Sequence, residues 1–230
     1  MDWRENGKKI AALSAVTHVK DGFIVGLGSG TTIAYALKEI GKRMRERKLS
    51  ILGVPTSYQA SQLAVKYKIP LTTLDENPRL DVAIDGADQV DNKLDMIKGM
   101  GGALTREKIV ASASKLNIIV VDETKLTNKL GVNQPVPIEA LPFATSVVET
   151  KLRRLGGKPV LRGAAGKLGP LVTDNGNFIL DVDFGPIARP KELNTALKGI
   201  PGVVETGLFA GMADVVYVGG RKGVRKLKRR

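Results

Sequence analysis

The sequence predicts an α/β protein: a parallel sheet with helices on both faces, carrying a smaller inserted α+β domain. Three observations lead there. Over the first half of the chain, short apolar segments of strand length alternate with amphipathic segments of helical length, the pattern of strands buried on both faces. From about residue 128 the order becomes strand-helix-strand-strand-helix-strand, a split βαβ unit. A last apolar strand, "ADVVYVGG" at 213–220, fits the first sheet better than the second.

The elements follow in order. Ile10, Leu13, Val16 and Val19 recur at helical spacing, and Asp21-Gly22 turns the chain into the buried strand "FIVGLG". "TTIAYALKEIGKRMRER" reads as the next helix, "LSILGVPT" as a strand and "YQASQLAVKY" as a third helix. Pro70 and "LTTL" lead to the strand "LDVAID", and a loop around 92–104 precedes the helix "TREKIVASAS" and the strand "LNIIVV". In the second part, "PVPIEAL" is a strand, "TSVVETKLRRLG" a helix and "KPVLR" a strand. "LVTDNGNFILDVDF" has hairpin form, with Asn175-Gly176 at its turn. "PKELNTALKGI" opens on proline, as helices do, and "GVVETGLF" closes the unit as one strand. The expected division is a Rossmann-like domain of residues 1–128 and 207–230, with a ferredoxin-like insertion at 129–206.

Composition narrows the function classes. With 43% hydrophobic residues the chain can bury a large core, yet it has no apolar run near the ~18 residues of a membrane span. "MDWRENGKKI" is charged where a signal peptide would be apolar, so a cytoplasmic protein is expected. The absence of cysteine excludes disulfides and thiolate metal sites. A net charge of +13 raises the question of a polyanion partner. Its basic clusters, "KRMRERK" at 42–48 and "RKGVRKLKRR" at 221–230, lack interleaved aromatics and any helix-turn-helix, zinc-finger or RNA-recognition signature. They read as a solvated helix end and a frayed tail, and nucleic acid is disfavoured as a partner.

Three strand-end loops carry chemistry. In parallel sheets, ligands bind outside the carboxyl ends of the strands. "GLGSGTT" at 26–32 joins a strand to a helix with glycines that admit an anion and with the hydroxyls of Ser29, Thr31 and Thr32. No third glycine, no acid ending the second strand and no Walker lysine accompany it, so a small phosphate ester suits it better than a nucleotide. A tight turn with a helix cap is the plain alternative. "DGADQVD" at 85–91 holds Asp85, Asp88 and Asp91. These are turn residues, metal ligands without EF-hand spacing or a partner for the single His18, or paired carboxylates for proton transfer to a polyol. "IKGMGGALTREKI" at 97–109 brings Lys98 and a glycine run before Thr105, a ready helix cap, and Glu107, a first-turn acid.

With "VVDETK" at 120–125, these loops in this order, and the α+β insertion, the chain resembles the type A ribose-5-phosphate isomerases over nearly its whole length. Met100 stands where many relatives have glycine. The resemblance implies interconversion of D-ribose 5-phosphate and D-ribulose 5-phosphate, in the non-oxidative branch of the pentose phosphate pathway, without a metal or organic cofactor. It makes Glu107 the general base, Asp85 a participant in sugar-ring opening, Lys98 a stabiliser of the developing oxyanion and Asp88 a substrate-hydroxyl contact. Ser29, Gly30, Thr31 and Thr32 become the phosphate loop. Gly86 and Ala87, together with Gly99, Met100 and Gly101, complete the substrate-binding set, and Lys8 and Lys125 are further anion contacts. A homodimer or homotetramer is implied as well. The residue types suit the reaction: an aldose–ketose isomerase moves a proton between adjacent carbons through an enediolate, and charge builds on oxygen as it does so. A sugar-phosphate-sensing domain without turnover is the alternative, in which the acid–base set would be dispensable.

Overall fold

The computed structural model describes residues 2–46, 48–166 and 168–229. Arg47, within the first basic cluster, and Arg230, at the end of the second, lie outside them. In chain order the first elements are α1 (Trp3–Val16), β1 (Ile24–Leu27), α2 (Thr31–Arg45), β2 (Leu52–Pro55), α3 (Tyr58–Lys66) and β3 (Val82–Asp85). The short strands β4 (Gln89–Val90) and β5 (Met96–Ile97) follow, then α4 (Leu104–Ser112) and β6 (Asn117–Asp122). Next come β7 (Val136–Ala140), α5 (Thr145–Arg154), β8 (Lys158–Leu161), β9 (Phe178–Asp183) and α6 (Pro190–Lys198). The chain ends with β10 (Val203–Thr206), β11 (Leu208–Phe209), β12 (Val215–Gly220) and β13 (Gly223–Lys228). None of these helices is long and apolar enough to cross a membrane.

Two compact units result. The first takes the chain up to Ala87, Arg106–Leu126 and the residues from Met212 onward; the second takes Asp88–Thr105 and Thr127–Gly211.

The first unit holds a six-stranded sheet in the order β13-β12-β6-β3-β1-β2, parallel except for β13. Alternation along the strands gives each face its own core. Val25, Leu27, Val82, Ile84, Ile118 and Val120 pack with α1 and α2 on one side. Ala83 and Val54 pack with Val110 of α4 on the other. Gly26 explains how closely α4 approaches, since a methyl there would lie 2.5 Å from Val110 Cγ1.

The second unit contains an antiparallel sheet, β10-β7-β9-β8, the strand order of a split βαβ unit, and a small sheet, β11-β5-β4. Its core gathers Ile138, Val148, Leu152, Leu180, Val182 and Leu197.

Four sequence expectations change. The first helix begins at Trp3, ahead of its first apolar marker. The loop at 92–104 contains β5, too short to show a period. "GVVETGLF" is not one strand, because Gly207 breaks it where the chain leaves β7 for β5: a side chain there would meet Lys98 O at 2.3 Å and Pro137 Cδ at 2.7 Å. The supposedly frayed tail is β13, paired with β12 from Gly220↔Gly223 to Val215↔Lys228. Its basic residues are those of a guarded edge strand, where charge discourages further pairing. Asn175-Gly176 does turn the chain, with Gly176 at φ +79, but among the described residues the arm before it forms no named strand and meets the next arm through the Val172↔Phe178 bridge and the 2.8 Å bond from Thr173 N–H to Asn177 O.

Candidate active site

In the first unit the parallel strands run in the order β2-β1-β3-β6-β12, so the order reverses between β1 and β3. Connections leave such a point in opposite directions and open a crevice at the carboxyl ends. Ser29–Thr32 leave β1 there, and Asp85 is the last residue of β3.

The two loops are built into each other. Gly28 N–H donates to Ile84 O at 3.0 Å. A methyl on Gly28 would sit 2.2 Å from Asp85 Oδ1, so only glycine fits. Asp85 is 7% exposed, and its Oδ1 accepts from Ser29 N–H at 3.1 Å and Gly86 N–H at 2.8 Å. These donors fix the direction of the carboxylate before any ligand arrives.

Gly30 takes φ +100 as the cap residue of α2 and offers no side chain to its first turn. Its N–H donates to Gln59 Oε1 at 2.9 Å. Ser29 Oγ lies 2.8 Å from Thr56 Oγ1 and 2.5 Å from Ser57 Oγ, and Ser57 caps α3 by accepting from Ala60 N–H at 3.1 Å. Hydroxyls and two helix N-termini thus surround one small volume, a setting for a phosphate dianion. Thr56 and Ser57 are functional candidates that sequence reasoning missed. The Thr-Ser pair ending "LGVPTS" was the available signal, but only the β2-β1 pairing gives it meaning.

Glu107 is 7% exposed in the first turn of α4. It precedes Val110 by three residues and shares its stripe of the helix. Val110 packs on Ala83, and Asp85 follows Ala83 by two residues onto the same sheet face. Glu107 and Asp85 therefore belong to one layer, between α4 and the sheet.

Lys8 reaches Glu5 Oε1 at 2.7 Å, while Tyr35 O–H donates to Glu5 Oε2 at 2.9 Å. These two bonds, Lys8 first, hold the Glu5 carboxyl below its usual value, and the bond to Glu5 raises the Tyr35 hydroxyl above its own. Glu5, Tyr35, Thr31 and Gln59 line one groove, which places Glu5 and Tyr35 beside the Ser29–Thr32 loop. Lys125 ends the 3-10 turn after β6, which Asp122 caps by accepting from Thr124 N–H at 2.9 Å. Ala87 closes this unit's loop after β3.

The second unit holds Asp88 and Lys98–Gly101. Lys98 is 4% exposed, its N–H donates to Gly207 O at 2.9 Å, and its ammonium lies 5.4 Å from the centroid of the Phe209 ring. Asp88 Oδ2 accepts from Met100 N–H at 3.0 Å. Gly99 and Gly102 take φ +106 and +78, whereas Met100 does not have a positive φ, so a side chain is admitted there without backbone strain. Asp91 is a turn residue: its Oδ1 accepts from Lys93 N–H at 2.8 Å and Asp95 N–H at 2.9 Å.

Residues 52–223 match the family described as ribose 5-phosphate isomerase A (phosphoriboisomerase A). The chain is 54% identical to the ribose-5-phosphate isomerase A of Thermosynechococcus vestitus, over 92% of this chain and 90% of that one. It is 50% identical to that of Methanosarcina acetivorans, over 96% and 93%. Among solved structures, a D-ribose-5-phosphate isomerase in complex with phospho-erythronic acid superposes with a TM-score of 0.96 at 46% identity, covering 98% of this chain and 99% of that one. The Methanocaldococcus jannaschii ribose 5-phosphate isomerase A gives a TM-score of 0.94 at 47% identity, with coverage of 98% and 99%.

Proposed function

Because the chain belongs to the ribose 5-phosphate isomerase A family, we propose that it interconverts D-ribose 5-phosphate and D-ribulose 5-phosphate through a cis-enediolate, as a step of the non-oxidative pentose phosphate pathway. The observation that carries the residue assignment is the burial of charge, which costs free energy unless something compensates it. Among the described residues five charged side chains are buried: Asp85, Lys98, Glu107, Asp122 and Glu139. Asp122 caps a turn, and Glu139 accepts four side-chain hydrogen bonds. Asp85, held by two backbone donors, Lys98 and Glu107 are the other three, and by residue type they are the acid, cation and base that this reaction needs.

In this reading the phosphate sits on Ser29–Thr32, with Lys8 and Lys125 adding positive charge. Asp85 moves a proton between the ring oxygen and the anomeric hydroxyl, which opens the furanose. Glu107 removes the proton from C2 and returns it to C1 on the same face. Lys98 stabilises the oxygen on which negative charge grows, an interaction stronger in the transition state than in the ground state. Asp88 holds a substrate hydroxyl, and the backbone of Gly86, Ala87, Gly99, Met100 and Gly101 lines the sugar.

The test is ribulose 5-phosphate formation from ribose 5-phosphate by chelator-treated protein, beside Glu107→Gln. Phospho-erythronate, whose carboxylate imitates the two oxygens of the enediolate, serves as the binding probe. Wild-type turnover that falls at least ~1,000-fold in the variant, with the probe still bound, supports the assignment. A wild type that binds the sugar phosphate without converting it would leave a sensing domain instead.

A further inference from the structure

In the second unit a polar cluster that the mechanism above leaves unused touches the glycine loop after Lys98. Arg162 follows directly on β8 and is anchored in the sheet: its N–H donates to Ile179 O and its carbonyl accepts from Leu171 N–H, both at 2.8 Å. Its side chain is 11% exposed, and its guanidinium engages Asp181 through two bonds, Nε to Oδ2 at 2.7 Å and Nη2 to Oδ1 at 2.5 Å. The third nitrogen, Nη1, donates to the carbonyls of both Gly99 and Met100, at 2.9 and 3.0 Å. Nη2 also lies 3.8 Å from Met100 Sδ.

Peptide planarity gives this clamp its consequence. In a trans peptide the C=O and the following N–H point in opposite directions. Two carbonyls drawn toward Arg162 therefore send the N–H groups of Met100 and Gly101 away from it. Met100 N–H is accepted by Asp88 at 3.0 Å. Gly101 N–H has no acceptor among the described residues and is left as an oriented donor. The loop needs such a restraint, because its glycines at φ +106 and +78 have a wide choice of conformations.

We propose that Arg162, held by Asp181, is a positioning residue for the oxyanion loop: it fixes the Gly99 and Met100 peptide planes so that Gly101 N–H and Asp88 meet the substrate in one orientation. The inference rests on the isomerase reading. It also accounts for the side chain at position 100, which lies along the guanidinium instead of occupying the face where the N–H groups point.

The experiment compares wild type with Arg162→Lys, which keeps the charge but cannot serve two carbonyls and a bidentate carboxylate at once, and with Asp181→Asn. We expect kcat to fall about 10-fold or more in Arg162→Lys, from misorientation at the reacting centre, with KM moving less than about 3-fold. The inhibition constant of phospho-erythronate should rise by the same factor as kcat/KM falls, while that of inorganic phosphate stays put. Partial unfolding would lower Vmax and leave both inhibition constants unchanged, and that pattern overturns the proposal. So does a folded variant with wild-type kcat. Should Arg162→Lys not fold, Asp181→Asn decides, together with amide hydrogen exchange on the wild-type protein: Met100 must exchange more slowly than Gly101, and equally fast exchange refutes the clamp. A wild type without turnover sinks the isomerase reading, while the exchange comparison still judges the clamp by itself.

Discussion

Replacing Gly28 by alanine tests whether the Ser29–Thr32 loop and the Asp85 carboxylate are one construction. The added methyl would lie 2.2 Å from Asp85 Oδ1 and 2.6 Å from Ile84 O. Neither neighbour is a floppy chain end. Ile84 O belongs to β3 and accepts from Gly28 N–H at 3.0 Å, while Asp85 is held by two backbone donors. Relief requires the carboxylate to recede by roughly 1 Å, which removes the Ser29 bond and strains the link between β1 and β3. Losing one backbone hydrogen bond, about 1 kcal/mol, and one to a carboxylate, about 2 kcal/mol, predicts a destabilisation of about 3 kcal/mol. In urea this lowers the midpoint by about 1 M at a slope of about 3 kcal/mol/M. With Asp85 in the role proposed above, a 1 Å displacement of its carboxylate predicts a loss of about 100-fold in kcat/KM. Gly30→Ala is the control. Its φ is +100 and its surroundings are open, so it should cost only the backbone strain, about 1–2 kcal/mol, and leave Asp85 in place. Gly28→Ala melting and turning over like wild type, or behaving like Gly30→Ala, would refute the argument.

Two further outcomes follow from other buried groups. Glu139 is fully buried and accepts from the hydroxyls of Thr105 and Thr173, at 2.5 and 2.8 Å, and from the amides of Asn175 and Asn177, at 3.1 and 2.8 Å. Glu139→Ala strands these donors and should cost about 3 kcal/mol or more, read as a drop in Tm of about 6–12 °C. His18 shares a 2.8 Å hydrogen bond between its Nε2 and the Tyr217 hydroxyl. Desolvation first, then Lys226, Lys228 and Lys20, lower its pKa from 6.5. The unfolded chain therefore takes up this proton at higher pH than the folded one. The resulting stability is present above pH 6.5 and is lost as the pH falls through the folded value. A urea midpoint that declines below about pH 6.5 in wild type, and declines less in His18→Gln, is the expected result.

Much of this protein is legible along the chain, because its apolar strands are long enough to show burial and its helices carry a clear amphipathic period. β1, β2, β3, β7, β9 and β12 and the helices α2, α3, α5 and α6 lie within segments recognised that way, α4 and β6 overrun theirs by one residue, and α1 starts ahead of its first apolar marker. The loops that carry Ser29, Asp85, Lys98 and Glu107 stand out along the chain by residue type, although each motif alone also suits a tight turn or a helix cap, and only their ordered set is distinctive. β4 and β5 are not, because two residues have no periodicity. β13 was hidden by its own charges, which reflect its edge position.

What the sequence by itself determined is local: the order of strands and helices, the turns, and the chemical types brought to strand ends. These follow from propensity and periodicity over a few residues. Which loops share an edge was decided by the tertiary structure, through the order β2-β1-β3-β6-β12, which sets Thr56 and Ser57 beside Ser29 and Asp85 beneath Gly28. The same holds for Arg162, 62 residues from Met100 along the chain and within 3.0 Å of its carbonyl oxygen in space. Nothing in "KPVLRGAAG" marks that arginine, because hydrogen bonds to backbone carbonyls are set by where a rigid sheet delivers the side chain and leave no pattern in the residues they join.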